Sequence, residues 1–212
     1  MLAFGNKGRM GELVDRAEAF YSERGAPTLI QVSTASAPQD LVVYLQARGY
    51  RSTARTLVEE AATRDVVDRT RPTLEIEIAE APTEEWFRTY WSVEATRNRS
   101  DTDLAVCRNF LLAPGLPTAF AAARRRSEVI GVGQVVIERG WGGVQCMATD
   151  PTHRRQGVAN AVLNGLAKEA LHQGAERIHL AVIAANEAAT ALYESAGFTF
   201  AHEYRYCTDQ LD

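Results

Sequence analysis

The segment of this chain best suited to chemistry is Arg154-Arg155-Gln156-Gly157-Val158-Ala159, where an apolar strand pattern ending at Thr149 gives way to a long helical one. The first backbone N–H groups of a helix have no partners within it, and the macrodipole makes that end partly positive. A pyrophosphate supplies both the missing acceptors and the negative charge. Gly157 lets the backbone come close to such a ligand, and Ala159 leaves the first turn uncrowded. Arg154 and Arg155 add charge at the mouth. An Arg-rich loop before an ordinary helix would look the same, so the segment needs support from the rest of the chain.

A length of 212 residues holds one medium α/β domain, or one of about 140 residues with a smaller companion. With 46% apolar and 24% charged residues and a mean hydropathy of −0.22, the composition excludes a mostly disordered or fibrous chain. A net charge of −4 argues against a surface that attracts nucleic acid or anionic lipid as a whole. Cys107, Cys146 and Cys207 are odd in number and widely spaced. They suggest neither a disulfide framework nor a zinc site and read as small packed side chains in a reducing compartment. Met1 to Gly11 has no apolar signal core, and no apolar run is long enough to span a membrane. The expectation is a cytoplasmic protein with no nucleic-acid or membrane partner.

Two groups of elements must position the loop. The first has a helix over Met10–Arg24 closed by Gly25, a strand over Thr28–Ser33, a helix over Pro38–Arg48 closed by Gly49, and a strand or its continuation over Tyr50–Glu60. Polar residues Thr63–Pro72 lose apolar periodicity and read as a linker. The second begins with the alternating strand Leu74–Ala79 and continues with a helix bearing Trp86, Phe87, Tyr90 and Trp91, whose spacing puts the last three on one side. A helix over Asp101–Ala113 follows, then strands Thr118–Arg124, Val129–Glu138 and Trp141–Thr149 joined by short turns as an antiparallel meander. After the loop come a helix to about Gly174, strand Arg177–Ile183, helix Glu187–Ala196 capped by Gly197, and strand Phe198–Cys207.

The chain also repeats itself. Setting Gly8 on Gly157 pairs Val14 with Leu163, Ala17 with Leu166 and Gly25 with Gly174. A one-residue adjustment then places Leu41 on Ala189, Gly49 on Gly197 and Tyr50 on Phe198. An early half-copy of the last third explains this, although two unrelated helix–strand–helix units could align alike.

Asp150-Pro151 followed by Arg154-x-x-Gly157-x-Ala159 resembles the acyl-CoA loop, R/Q-x-x-G-x-G/A, of the GNAT superfamily of N-acetyltransferases. Asn186 and Ala191-Leu192-Tyr193-Glu194-Ser195-Ala196-Gly197-Phe198 are similar to that family's second signature, N-x-x-A-x-x-x-Y-x-x-x-G-F. The likeness covers about Thr73 to Cys207 and includes the order of elements. It implies an α/β fold, a mixed, mostly antiparallel twisted sheet flanked by helices, preceded here by a smaller truncated GNAT-like α/β unit. Residues 1–72 would be a degenerate half-domain plus linker, and residues 73–212 a catalytic N-acetyltransferase domain.

The same likeness implies acetyl-CoA as co-substrate. By it, the backbone of Met147, Ala148 and Thr149 pairs with the pantetheine arm, Arg154 to Ala159 hold the pyrophosphate, and Asn186 contacts the cofactor. Tyr193 matches the tyrosine that often protonates the departing thiolate, and a phenol with a pKa near 10 keeps its proton at neutral pH. Taken alone, Tyr193 reads as a core aromatic, Asn186 as a helix N-cap and Cys146 as packing. The general base stays open among Glu138, Glu203, His179, His202, Glu94 and Asp101, and water could serve instead. Glu94, Arg97 and Arg99 are candidates to face the acceptor.

In the early half-copy Gly5 stands in place of Arg154, Met10 in place of Ala159 and Leu45 in place of Tyr193. Such a copy should not catalyse, and it would dock on the C-terminal sheet or a second subunit, making a homodimer one expectation. The function expected is acetylation of a primary amine on a small molecule by direct attack. Alternatives are a protein or peptide acceptor, or a non-catalytic acyl-CoA-binding module. A nucleotide-binding protein is disfavoured because neither G-x-G-x-x-G nor G-x-x-x-x-G-K-[ST] occurs.

Overall fold

A computed structural model describes residues 10–36, 38–94, 101–112 and 115–209. The chain runs α1 (Met10–Ser22), β1 (Leu29–Ser33), α2 (Leu41–Ala47), β2 (Arg51–Ser52), β3 (Thr56–Ala62), α3 (Thr63–Arg69), β4 (Ile76–Ala79), α4 (Glu84–Glu94) and α5 (Asp101–Leu111). It continues through β5 (Thr118–Arg125), β6 (Glu128–Glu138), β7 (Trp141–Thr149), α6 (Val158–His172), β8 (Arg177–Ile183), α7 (Glu187–Ser195) and β9 (Thr199–Thr208). Two units emerge: Met1–Val58 with Val182–Thr190 and Phe200–Asp212, and Glu59–Ala181 with Ala191–Thr199.

In the smaller unit, the apolar positions of α1 and α2 close over two short strands. β1 and β2 each pair antiparallel with β9, at Ile30↔Cys207 and Ser52↔Cys207. Val14, Ala17, Ile30, Leu45, Tyr50 and Cys207 form its core, so Cys207 is the packed thiol that its spacing suggested.

The larger unit carries the strand order β3-β8-β7-β6-β5-β4. Pairing is antiparallel across β4, β5, β6 and β7 and parallel between β7 and β8. This is the mixed, mostly antiparallel sheet flanked by helices that the motifs implied. The β6–β7 turn is closed by Arg139 at φ 50° and Gly140 at φ 80°, the two positive-φ residues of a tight hairpin.

Helix α4 starts at Thr83, whose Oγ1 accepts from Trp86 N at 3.1 Å. Here the sequence expectation needs correcting. Trp86, left off the expected apolar side, is the most buried aromatic of the helix at 1% exposure, with Phe87 at 3%. Trp86 stacks on Tyr90 and meets Phe87 and Phe120 edge-on.

On the other side, α6 sits unusually close to the sheet because glycines face it. A Cβ on Gly131 would lie 2.3 Å from Val158 Cγ1, and one on Gly165 would lie 2.6 Å from Ile76 Cγ2.

The supposed linker is also corrected. Thr63–Arg69 is helix α3, with Val66 fully buried. Its apolar side was hidden because two of its buried positions are polar, Thr63 and Thr70, while Arg64, Asp65, Asp68 and Arg69 face solvent. Asn164 of α6 donates through Nδ2 to Val67 O at 3.1 Å, Thr70 O at 2.7 Å and Thr70 Oγ1 at 2.9 Å. Asn164→Ala should cost roughly 1–3 kcal/mol by leaving buried acceptors unmet. For a chain of this size that is a fall in Tm of about 3–10 °C, read by circular dichroism; an unmoved Tm would show that water takes over the bonds.

Candidate active site

Between Trp141 and Val144, β7 is paired on both edges. The parallel ladder with β8 stops at Val144↔Leu180, whereas pairing with β6 runs on to Gly131↔Thr149. At Gln145 and from Met147 to Thr149 the edge of β7 that faces away from β6 therefore has no ladder partner among the described residues. The cause is local. Gln134 pairs with Gln145 and Val132 with Ala148, so Cys146 and Met147 share the one place opposite Gly133. This bulge turns the strand and holds Cys146 at φ 55°, at a cost of about 1–2 kcal/mol for a residue with a Cβ. The β6 side of the bulge is pinned by Trp86, whose Nε1 donates to Ala121 O at 3.0 Å and Gly133 O at 3.3 Å.

The strand ends in a braced turn. Asp150 Oδ1 accepts from Thr152 Oγ1 at 2.5 Å and Thr152 N at 2.8 Å. The Thr152 hydroxyl, then its backbone N–H, then His153 hold the Asp150 carboxyl below the usual carboxylate range. Gln156 Oε1 accepts from Arg125 at 2.5 Å while its Nε2 donates to Thr152 O at 3.2 Å. Arg155 at φ 60° and Gly157 at φ 77° then swing the backbone into α6. Ala161 N is the first amide of this helix with a backbone acceptor, Gly157 O at 3.0 Å. Among the described residues, the N–H groups of Val158, Ala159 and Asn160 before it have none. Successive amides turned outward at a helix start make an anion-binding concavity. Arg154, Arg155, Gln156 and Gly157 are exposed, whereas Val158 is buried at 1% and seats the turn against Gly131.

Of the other residues singled out in the sequence, Met147 directs its Sδ to Gly133 on the α6 side, and Ala148 packs with Trp86 and Phe87 on the α4 side. Thr149 is half-buried at the strand end. Tyr193 shares their unit. It is 7% exposed and meets Phe198 edge-on at 5.7 Å. Burial first, and the nearby Glu59 second, push its phenol up to about 12, so the hydroxyl keeps its proton throughout the neutral range.

Asn186 belongs to the smaller unit, where its Oδ1 accepts from Ala189 N at 3.3 Å as the N-cap of α7. The base candidates separate. Glu138 and His179 line one cleft of about 610 Å³ on the larger unit, together with Trp141, Gln145 and Cys146. Glu203 and His202 lie on β9 in the smaller unit, Glu203 within 3.4 Å of Arg55. The side chains of Glu94 and Asp101, and residues Arg97, Arg99, Gly5 and Gly8, lie outside the described residues.

The sequence reading missed Trp86, Gly131 and Gly133. Two glycines in alternate positions of a strand interior are the signal that could have marked a close approach.

A mixed sheet opened by a bulge thus leads straight into a helix start whose first amides have no backbone acceptor among the described residues. The chain belongs to the acetyltransferase (GNAT) family, whose model matches residues 80–198, more than half of its length. It is an acyltransferase of the N-acetyltransferase kind, and members of the family generally use acetyl-CoA. The chain is 26% identical over 201 residues to the uncharacterized N-acetyltransferase YobR of Bacillus subtilis (strain 168), covering 92% of this chain and 78% of that one. Over 66 residues, 30% of this chain and 45% of the relative, it is 42% identical to the [ribosomal protein bS18]-alanine N-acetyltransferase of Escherichia coli (strain K12). A GCN5-related N-acetyltransferase from Kribbella flavida has the same fold, with a TM-score of 0.70 at 15% identity, over 94% of this chain and 74% of that one.

The residues present fit the coenzyme. The edge of β7 at Met147–Thr149, beyond the end of the β8 ladder, offers amide partners to an extended arm, and a Cβ at Gly157 would meet only Thr73 Oγ1, at 3.7 Å, so the cradle is open.

Proposed function

We propose that this chain transfers the acetyl group of acetyl-CoA to a primary amine of a small molecule, by direct attack with both substrates bound. The observation that carries this reading is the succession, along one stretch of chain, of the β7 edge that parts from β8 after Val144 and the turn at Arg154–Ala159 that opens α6. In this reading the Met147–Thr149 backbone pairs with the pantetheine arm and the outward amides of Val158 and its neighbours hold the pyrophosphate, with Arg154 and Arg155 adding charge. Backbone amides of the opened strand polarise the thioester carbonyl as negative charge develops on its oxygen. Tyr193, buried and protonated, gives its proton to the leaving sulfur. A cleft of about 610 Å³ suits a small acceptor, since such sites run to a few hundred Å³.

A second reading, an N-terminal amine of a protein or peptide, is favoured by the likeness to the ribosomal-protein alanine acetyltransferase, which falls on part of the chain only. The deciding experiment measures thiol release from acetyl-CoA over a panel of amino acids, polyamines, aminoglycosides and peptides. Turnover concentrated on small amines supports the first reading and turnover on peptides the second. Tight acetyl-CoA binding with no release across the panel would make the chain a non-catalytic acyl-CoA-binding module.

The N-terminal segment reads best as a degenerate half-copy of the same fold. Gly25 and Gly174, aligned by the repeat, both close helices at positive φ, 60° and 85°, and so do Gly49 and Gly197 at 91° and 97°. Tyr50 and Phe198, each following one of these glycines, are both buried.

A further inference from the structure

The geometry points to His179 as the general base that takes the proton from the acceptor amine. This rests on the acetyltransferase reading above and assigns a step that neither the motifs nor the family match places on a residue.

Among the described residues that were candidates for this role, only His179 and Glu138 line the cleft that holds the bulged strand. Their positions along β7 differ. Glu138 pairs with Trp141 and His179 with Gly143, one pair before the sheet opens. At about 3.3 Å per residue, His179 stands roughly 10 Å along the strand from Cys146, and Glu138 about 16 Å. An imidazole, with an ordinary pKa near 6.5, accepts a proton at neutral pH far better than a carboxylate near 4.

The ring is held in place on two sides. Trp141 meets it at 6.0 Å and 61°, and across β7 the missing side chain of Gly143 makes room for it: a Cβ there would lie 3.1 Å from Nε2 and 3.3 Å from Cε1. Gly143 thus has a use that a helical or strand propensity cannot explain.

The charged and titratable groups around the imidazole, among the described residues, are Glu138 on β6, Arg139 in the turn, Cys146 on β7 and Arg177 on β8. Arg177 is engaged elsewhere, by Glu60 Oε1 at 2.6 Å and over the Trp141 ring at 5.3 Å.

The balance of the step is complete. The acceptor ammonium gives one proton to His179, its nitrogen lone pair forms the bond to the acetyl carbon, and the carbon–sulfur bond breaks. The sulfur takes the Tyr193 proton. A second amine proton leaves to solvent as the amide forms, His179 releases its proton to water, and Tyr193 regains one from water.

The test uses the full-length chain with the primary amine that releases thiol fastest in the panel. His179→Gln should lower kcat/KM by roughly 10²–10⁴-fold and remove its rise with pH through the imidazole range. Acetyl-CoA affinity by calorimetry and Tm should stay as in the wild type. Added imidazole should restore part of the rate to His179→Ala, a rescue that a merely structural histidine would not show. An unmoved pH profile with kcat/KM close to wild type overturns the base while leaving the acetyltransferase reading intact. A wild-type chain that fails to bind acetyl-CoA, or binds it and releases no thiol with any amine, overturns both.

Discussion

Tyr193→Phe is expected to cut kcat by roughly 10²–10⁴-fold with acetyl-CoA affinity unchanged. The substitution removes one hydroxyl from a ring that is otherwise held by packing, against Phe198 at 5.7 Å and within an environment that leaves it 7% exposed. Phenylalanine keeps that packing, so Tm should hold. What is lost is a proton donor that burial and Glu59 keep protonated, its pKa being pushed up to about 12. The same shift makes a second outcome checkable. The wild-type kcat should not fall between neutral pH and about pH 10, where an ordinary tyrosine begins to lose its proton. Steady-state thiol release and calorimetric binding read both. A Tyr193→Phe enzyme with unchanged kcat means the sulfur takes its proton elsewhere.

Gly131→Ala should damage stability and coenzyme binding together. The added Cβ would stand 2.3 Å from Val158 Cγ1, and Val158 is the buried first residue of α6. Something must move, and overpacking of this sort costs about 1–3 kcal/mol. The element displaced is the start of the helix whose first amides are proposed to hold the pyrophosphate, so acetyl-CoA affinity should fall by about tenfold, the equivalent of 1.4 kcal/mol of lost binding. Gly140→Ala is the matching control: it too replaces a glycine of the meander, but its Cβ would meet nothing within 4 Å. It should therefore lose some stability through its positive φ while leaving the affinity alone. Equal losses of affinity in both variants would break the link between the close approach of α6 and the anion site.

Much of the candidate site was legible because its residues are contiguous. Arg154 to Ala159 and Asn186 to Phe198 each form one turn and one helix, so chemistry and local geometry are written in the same few positions. The strands Trp141–Thr149 and Arg177–Ile183 were read at their true limits, since alternation of apolar and polar side chains marks a half-buried strand. The linker was misread as such because polarity was taken for exposure; Thr63 and Thr70 are buried and Asn164 satisfies the end of α3. Trp86 was misplaced for a related reason. A helical wheel shows which side chains share a side but not which of two adjacent sides faces the sheet, and the answer depended on carbonyls of Ala121 and Gly133 on other strands.

By itself, the sequence determined the order of elements apart from helix α3, the turn whose helix start can meet an anion, and the family, and it marked Tyr193 as the candidate proton donor. All of these are encoded by neighbours in the chain, where spacing alone constrains geometry. Only the tertiary structure decided where β7 and β8 part, why Gly131, Gly133 and Gly143 are glycines, and which of the scattered acidic and imidazole groups share a cleft with the bulge. Those depend on the register between strands far apart in sequence, and a shift of one residue in that register would turn each side chain to the opposite side of the sheet.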